Sequence, residues 1–279
     1  MEHYKKLKDF TERVNIEFQQ EFADEQLLAT ELFSLYFEAA EIANQQFVLK
    51  RETLELISRT FNTFYAGWNL IVGGLLTQGM ILLRDTIECI TYVKLFEVDE
   101  EFREEWGEGK EFFPRDIQKR LKKNMISLPK QKRFYKIFSQ NWAHPSKKGT
   151  VSHVTDWYPT GLEHRVLFHF GSVKVTPRTR FIAVAALSLM FGTISFLWTE
   201  VFPINKDANH TWYQKLTSAQ KKMEMIELKS DKELEIVIKK QYENYQSILS
   251  DQYAAMEAEA RALFEENQSK ESNHPSGGL

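Results

Sequence analysis

The chain has 279 residues with a formal net charge of −3, 43% hydrophobic and 13% aromatic residues. That apolar content builds a large ordered core and excludes a disordered chain, while the near-balanced charge leaves any nucleic-acid contact to a local patch. The one cysteine, Cys89, excludes an internal disulfide framework and a cysteine-rich zinc or iron–sulfur site. Set in ILLRDTIECITYVKLF, it reads as a small buried hydrophobe. The N-terminal MEHYKKLKDFTERVN lacks the apolar core of a signal peptide, so a cytoplasmic protein is expected.

Helical periodicity dominates. Leu27, Leu28, Leu32, Leu35, Phe37, Ile42 and Phe47 recur at spacings near three and four, predicting a helix over 26–46 with a solvated acidic face that includes Glu31 and Glu38. Leu54 to Phe64 continues the pattern. From Thr60 to Leu83 no residue is charged. Gly67, Gly73, Gly74 and Gly79 punctuate this run, each costing about 1 kcal/mol against alanine in a helix; they are expected to admit a neighbouring helix closely. The run is read as passing without a breaker into MILLRDTIECITYVKLF.

DEEFREEWGEGK is an acidic stop, and Pro114 and Pro129 suit the first turns of two further helices, RDIQKRLKKNM and KQKRFYKIFSQNWA. HRVLFHFGSVKV, bounded by Gly161 and Pro177, predicts a short hairpin or extended loop. Arg178 to Val201 returns to helix. Its uncharged stretch Phe181–Thr199 approaches the roughly 20 residues of a bilayer span, yet the flanking Arg180 and Glu200 show no charge asymmetry. We read it as a core helix, with a membrane span as the alternative. Beyond Lys215, Leu234, Ile238, Tyr242, Tyr245, Leu249, Tyr253, Met256, Ala260 and Leu263 trace one apolar seam of a long amphipathic helix. The expected architecture is an all-α multi-helix bundle with one short hairpin or extended insertion and a long C-terminal amphipathic helix. Its parts are a bundle domain over 1–205, a helical arm over 206–268 and a disordered tail over 269–279.

Three features could carry chemistry. Arg84 and Glu88 lie four apart on a helix and can pair. With apolar neighbours on both sides, Glu88 reads either as half of a buried structural salt bridge or as the group orienting Arg84 towards an anion. Tyr135, Ser139, Asn141 and His144 mark the end of a later helix, with Lys147 and Lys148 beyond it. His144 precedes Pro145, where a helix must stop, and its imidazole suits either a C-terminal cap or a general base. Finally, residues 115–148 are almost one-signed, with Arg115, Lys119, Arg120, Lys122, Lys123, Lys132 and Arg133 against the lone acid Asp116. Such a run is a solvated face or a phosphate-binding one. No nucleotide-binding loop, zinc-protease or serine-hydrolase motif is present, and no metal or cofactor is expected.

Arg84-x-x-x-Glu88 followed by Tyr135-x-x-x-Ser139-x-x-x-x-His144-Pro145-Ser146 resembles a family of uncharacterised bacterial helical proteins. That family in turn is similar to the HEPN helical bundles of toxin and phage-defence systems. The resemblance runs over about Thr60–Lys148. It implies a helical, often dimeric RNA- or nucleotide-binding protein. Catalytic HEPN ribonucleases carry an Arg, a polar residue and a His four to six residues after the Arg. With His144 in the His position and Gln140 in the polar one, the Arg position falls on Ser139, which cannot stabilise phosphorane charge as a guanidinium does. The signature is therefore broken unless Arg84 supplies the cation from its own helix. If the protein is an enzyme, the resemblance implies metal-independent RNA cleavage with His144 as base and Arg84 on the phosphate.

The leading expectation is an HEPN-like protein binding RNA or a nucleotide through the basic region, with Glu88, Tyr135, Ser139, Asn141, Lys147 and Lys148 as ligand contacts. The alternative is a non-catalytic interaction module whose C-terminal helix joins a homodimer or docks a partner protein.

Overall fold

In the computed structural model the described residues are 2–129, 135, 154–160, 163–168, 177–236 and 239. They form a helical bundle carrying one antiparallel hairpin. The chain divides into two compact units, Met1–Ser230 and Asp231–Leu279. The first takes in residues 206–230, which the sequence reading places in the arm. Of the second, residues 231–236 and 239 are described, and they are helical.

Helices α1 (Glu2–Glu21) and α2 (Ala23–Gln46) are separated by one residue, Phe22, at φ −123° and ψ 43°. In α2, Leu28, Leu32, Leu35, Ala39 and Ala43 are buried at the spacing read from the sequence. Helices α3 (Arg51–Val72) and α4 (Leu76–Phe96) follow and pack antiparallel. The uncharged run Thr60–Leu83 is thus not one helix. Gly74 takes φ 78°, a left-handed conformation that costs glycine little. The amides of Gly74 and Leu75 then bond to the carbonyls of Ile71 and Leu70 at 2.9 and 2.8 Å. Gly67 and Gly79 do admit close approach: a Cβ on Gly79 would lie 2.7 Å from the Gly67 carbonyl oxygen and 2.7 Å from Ile71 Cγ1.

After α5 (Glu100–Gly107) and α6 (Pro114–Lys123) comes the hairpin, β1 (Val154–Thr160) with β2 (Glu163–Phe168). Its register runs from Thr160↔Glu163 to Val154↔Phe168. The predicted strand segment therefore holds only β2. Its partner VTDWYPT lies upstream of Gly161, its β-branched and aromatic residues interrupted by Asp156 and Pro159.

Helix α7 (Pro177–Ser195) continues into a π-helical turn, Phe196–Val201. It packs against α2, α3 and α4, which explains its apolar character on all sides. By length and composition Thr179–Val201 could cross a membrane, and 67% of its apolar window is buried inside the protein. Arg180, read as a flanking charge, is turned inward. Its side chain is 7% exposed, its Nε lies 3.0 Å from Glu25 Oε1, and it donates to the Glu21 carbonyl at 2.6 Å. The guanidinium also sits 4.2 Å from the Phe22 ring centroid, clamping the α1–α2 elbow to α7. Burial pushes the Glu25 carboxyl above its ordinary range, opposed in part by the Arg180 charge.

A helix opening at residue 210 (α8) lays Trp212, Leu216, Ala219, Met223 and Ile226 inward. The Trp212 indole donates to the Leu35 carbonyl at 3.1 Å. Lys215 pairs with Glu38 at 2.7 Å and Lys222 with Glu31, so part of the acidic face of α2 meets α8 rather than solvent alone.

Candidate functional site

Arg84, Ile87, Glu88, Thr91 and Tyr92 form one stripe along α4 at helical spacing, and Pro114, Ile117, Gln118, Leu121 and Lys122 form the matching stripe on α6. Between the stripes lies a cavity of ≈ 820 Å³, bordered also by Phe112, by residues 125–129 and by Tyr135. This is within the volume range of small-molecule sites.

The wall formed by α6 is anchored at its C-terminal end. Asp99 caps α5, its Oδ1 accepting from the Phe102 amide at 3.0 Å. The same carboxylate accepts from Arg120 at 3.0 Å and Asn124 at 3.1 Å, and Arg120 also pairs with Glu105. Burial alone would push the Asp99 carboxyl up, but the hydrogen bonds from Phe102, Asn124 and Arg120 outweigh it and hold the carboxyl below its ordinary range. At its C-terminus α6 closes with a Schellman motif: Met125 N bonds Lys122 O at 3.1 Å and Ile126 N bonds Leu121 O at 2.9 Å. Met125 stands where glycine is preferred, at φ 54°, with 92% of its surface exposed.

Arg84 is the cation of the cavity. Its Nε and Nη2 approach Glu88 Oε1 at 3.2 and 3.1 Å, and Nη2 donates to the Tyr135 hydroxyl at 2.8 Å. The guanidinium carbon is 4.9 Å from the Tyr135 ring centroid. Two of three sequence candidates on different helices thus meet: the Arg84–Glu88 pair and Tyr135, 51 positions away. The pair is not sealed, however. The side chains of Arg84 and Glu88 are 28% and 42% exposed, which corrects the expectation of a charge forced into apolar surroundings. Of the neighbours that suggested burial, Cys89 points to another side of the helix, while Ile87 is buried and lines the same cavity. Burial, with the Glu88 carboxylate next, pushes the Tyr92 phenol up to about 12, leaving it protonated as a hydrogen-bond donor at neutral pH.

The residue after Arg84, Asp85, forms a second ion pair that the sequence did not single out. Asp85 receives Arg59 in a two-pronged contact, at 2.9 Å from Nε and 2.6 Å from Nη2. Cys89 is buried beside it, its thiol pushed up to about 12 first by burial and then by the Asp85 charge, as expected of an inert thiol.

The basic run divides. Arg120 is committed to Asp99, Glu105 and Glu101 and is a structural cation, not a free phosphate contact. Lys119 and Lys123 make loose pairs with Asp116 and Glu101 at 3.9 and 4.0 Å and are largely exposed. Arg115 and Lys122 are exposed and form no ion pair among the described residues. Lys122 alone of this group borders the cavity. Lys132, Arg133, Ser139, Asn141, His144, Lys147 and Lys148 lie outside the described residues. Among the described residues lining the cavity none is a histidine or cysteine, and no acidic, histidine or cysteine cluster suited to a metal occurs among the described residues. The described lining offers an oriented cation, an accessible carboxylate, a phenol donor and an apolar floor.

The sequence reading missed the apolar half of the site. The signal was available as apolar residues at i, i+3 and i+7 on α6 (Pro114, Ile117 and Leu121), but nothing local tells which helix they face. No family model, curated protein or solved structure matches the chain.

Proposed function

We propose that this protein is an HEPN-like helical protein that binds RNA or a nucleotide, using Arg84 and the basic face of α6. The observation that carries the reading is Arg84 itself. It is pre-oriented by Glu88 and Tyr135, partly exposed, and placed in a cavity bordered also by Lys122, which forms no ion pair among the described residues. A guanidinium so held loses little rotational freedom on meeting a phosphate. A toxin or phage-defence role rests on the family resemblance alone, and cleavage would need His144 beside Arg84.

Binding of labelled single-stranded RNA and DNA at about 50 and about 200 mM salt tests it. Affinity should fall with salt and fall further for Arg84→Ala; RNA cuts lost in His144→Ala would make the protein a ribonuclease. Absence of RNA and nucleotide binding at the lower salt would overturn the reading.

A second reading, a helical interaction module, is favoured by an aromatic face on α2 and α3. Phe37 and Tyr65 are 56% and 55% exposed there, with the Phe37 and Phe61 ring centroids 4.2 Å apart at a tilt of 52° and those of Phe33 and Tyr65 5.7 Å apart edge to face. Such a face suits contact with another helix.

A further inference from the structure

We propose that the cavity between α4 and α6 binds a free α-amino acid with a large apolar side chain. Its carboxylate meets Arg84, its ammonium meets Glu88 beside it, and its side chain lies on the wall of Ile117 and Leu121. The proposal goes beyond the RNA-or-nucleotide reading and does not rest on it; both draw on Arg84, so the two ligands would exclude each other there.

The closeness of the two charges sets the ligand class. Arg84 and Glu88 touch, at 3.1 and 3.2 Å, yet neither is used up. Among the described residues Glu88 bonds through Oε1 alone and Arg84 through Nε and Nη2, which leaves Oε2 and Nη1 for a ligand. Both side chains are partly exposed and both line the cavity. A guanidinium only donates and an ionised carboxylate only accepts. Their complement is an anion and a donor, and because the two protein groups are in contact, these must sit on neighbouring atoms of the ligand. An α-amino acid carries its carboxylate and ammonium on one carbon. Each charge it brings out of water then meets an opposite one, whereas a lone anion on Arg84 would face Glu88 as a like charge.

Two further groups strengthen the anion side. The Tyr135 hydroxyl accepts from Arg84 Nη2 at 2.8 Å and so keeps its own proton to donate. Lys122 borders the cavity and adds a second positive charge against the single negative one of Glu88. Across from the charged pair, Ile117 and Leu121 present an apolar stripe on α6, continued by Phe112 and Leu128 at the cavity border. A ligand polar along one edge and apolar beyond it matches both walls. The volume of ≈ 820 Å³ has room for the largest amino-acid side chain, and glycine would leave the apolar wall uncovered.

The test is calorimetric titration of the full chain with leucine, methionine, phenylalanine and tryptophan up to millimolar concentration. Glycine, and the decarboxylated amine and deaminated acid of each, serve as partial ligands. At least one of the four should bind with 1:1 stoichiometry, and its partial ligands should each bind at least about tenfold more weakly. Arg84→Gln and Glu88→Gln should melt like the parent and weaken the amino acid by a similar factor. The discriminating result is a crossed one. Glu88→Gln should leave binding of the deaminated acid unchanged or tighter, and Arg84→Gln should do the same for the decarboxylated amine, whereas a distorted cavity would weaken both. A deaminated acid that binds as tightly as its amino acid would overturn the paired recognition, and amino-acid binding unchanged in both variants would overturn the site. RNA binding with none of the four amino acids bound would overturn the proposal and leave the broader reading standing; amino-acid binding without RNA binding would do the reverse.

Discussion

Replacing Gly79 by alanine adds one methyl group where α4 crosses α3. In a helix interior the change alone would stabilise by about 1 kcal/mol through propensity. Against it stands the contact geometry: the new Cβ would lie 2.7 Å from both the Gly67 carbonyl oxygen and Ile71 Cγ1, and 3.3 Å from the Ile71 amide. Carbon atoms pack comfortably at about 3.5–4.0 Å, and a helical carbonyl cannot rotate aside, so the two helices must part. Overpacking of this kind costs roughly 1–3 kcal/mol. With backbone as the obstacle the upper half of that range applies, and the net loss is about 1–2 kcal/mol. For a unit the size of Met1–Ser230 this lowers the melting temperature by about 2–8 °C. Two companions calibrate the effect. Gly67→Ala meets Leu83 Cδ2 and Cγ at 3.0 and 3.1 Å and the Gly79 carbonyl oxygen at 3.2 Å, looser contacts than the 2.7 Å ones at Gly79, and should cost less than Gly79→Ala. Gly192→Ala in α7 meets nothing within 4 Å and should gain about 1 kcal/mol. Urea and thermal unfolding followed by far-ultraviolet circular dichroism give the ranking directly. A Gly79→Ala protein as stable as Gly192→Ala would refute the close crossing of α3 and α4.

Glu88→Ala should cost only about 0–1 kcal/mol, because both partners of its ion pair are partly exposed; a loss of several kcal/mol in urea would restore the buried-bridge reading. Asp99→Ala removes the α5 cap and a partner of Arg120, and should cost about 2–3 kcal/mol. Because the folded Asp99 carboxyl lies below its unfolded value, its contribution is present above about pH 4 and lost as pH falls through the folded value. Acid titration of stability should therefore be shallower in Asp99→Ala than in the parent, and parallel curves would contradict this.

Much of the bundle was legible because its signals are local. The spacing in α2, Pro114 at the first turn of α6 and the all-round apolar α7 each depend on residues within one helix. The Arg84–Glu88 contact was legible for the same reason. The Gly73–Gly74 turn was readable as a breaker, yet an uncharged context disguised it. What could not be read was which stripes meet. Nothing near Arg84 announces that α6 lies opposite, and nothing near Arg120 announces that Asp99 and Glu105 neutralise it. Sequence adjacency also misled for Glu88, whose neighbours Ile87 and Cys89 are buried while its own side chain stays partly exposed.

The Arg180 clamp has a consequence for how the chain is made. It joins the end of α1 to a residue 159 positions later. The α3–α4 hairpin can close as soon as its own residues leave the ribosome, but the α1–α2 elbow must wait for α7. At about 5–20 residues per second that interval is roughly 10–30 s. During it Phe22 has no guanidinium to stack on and Glu25 no buried cation beside it.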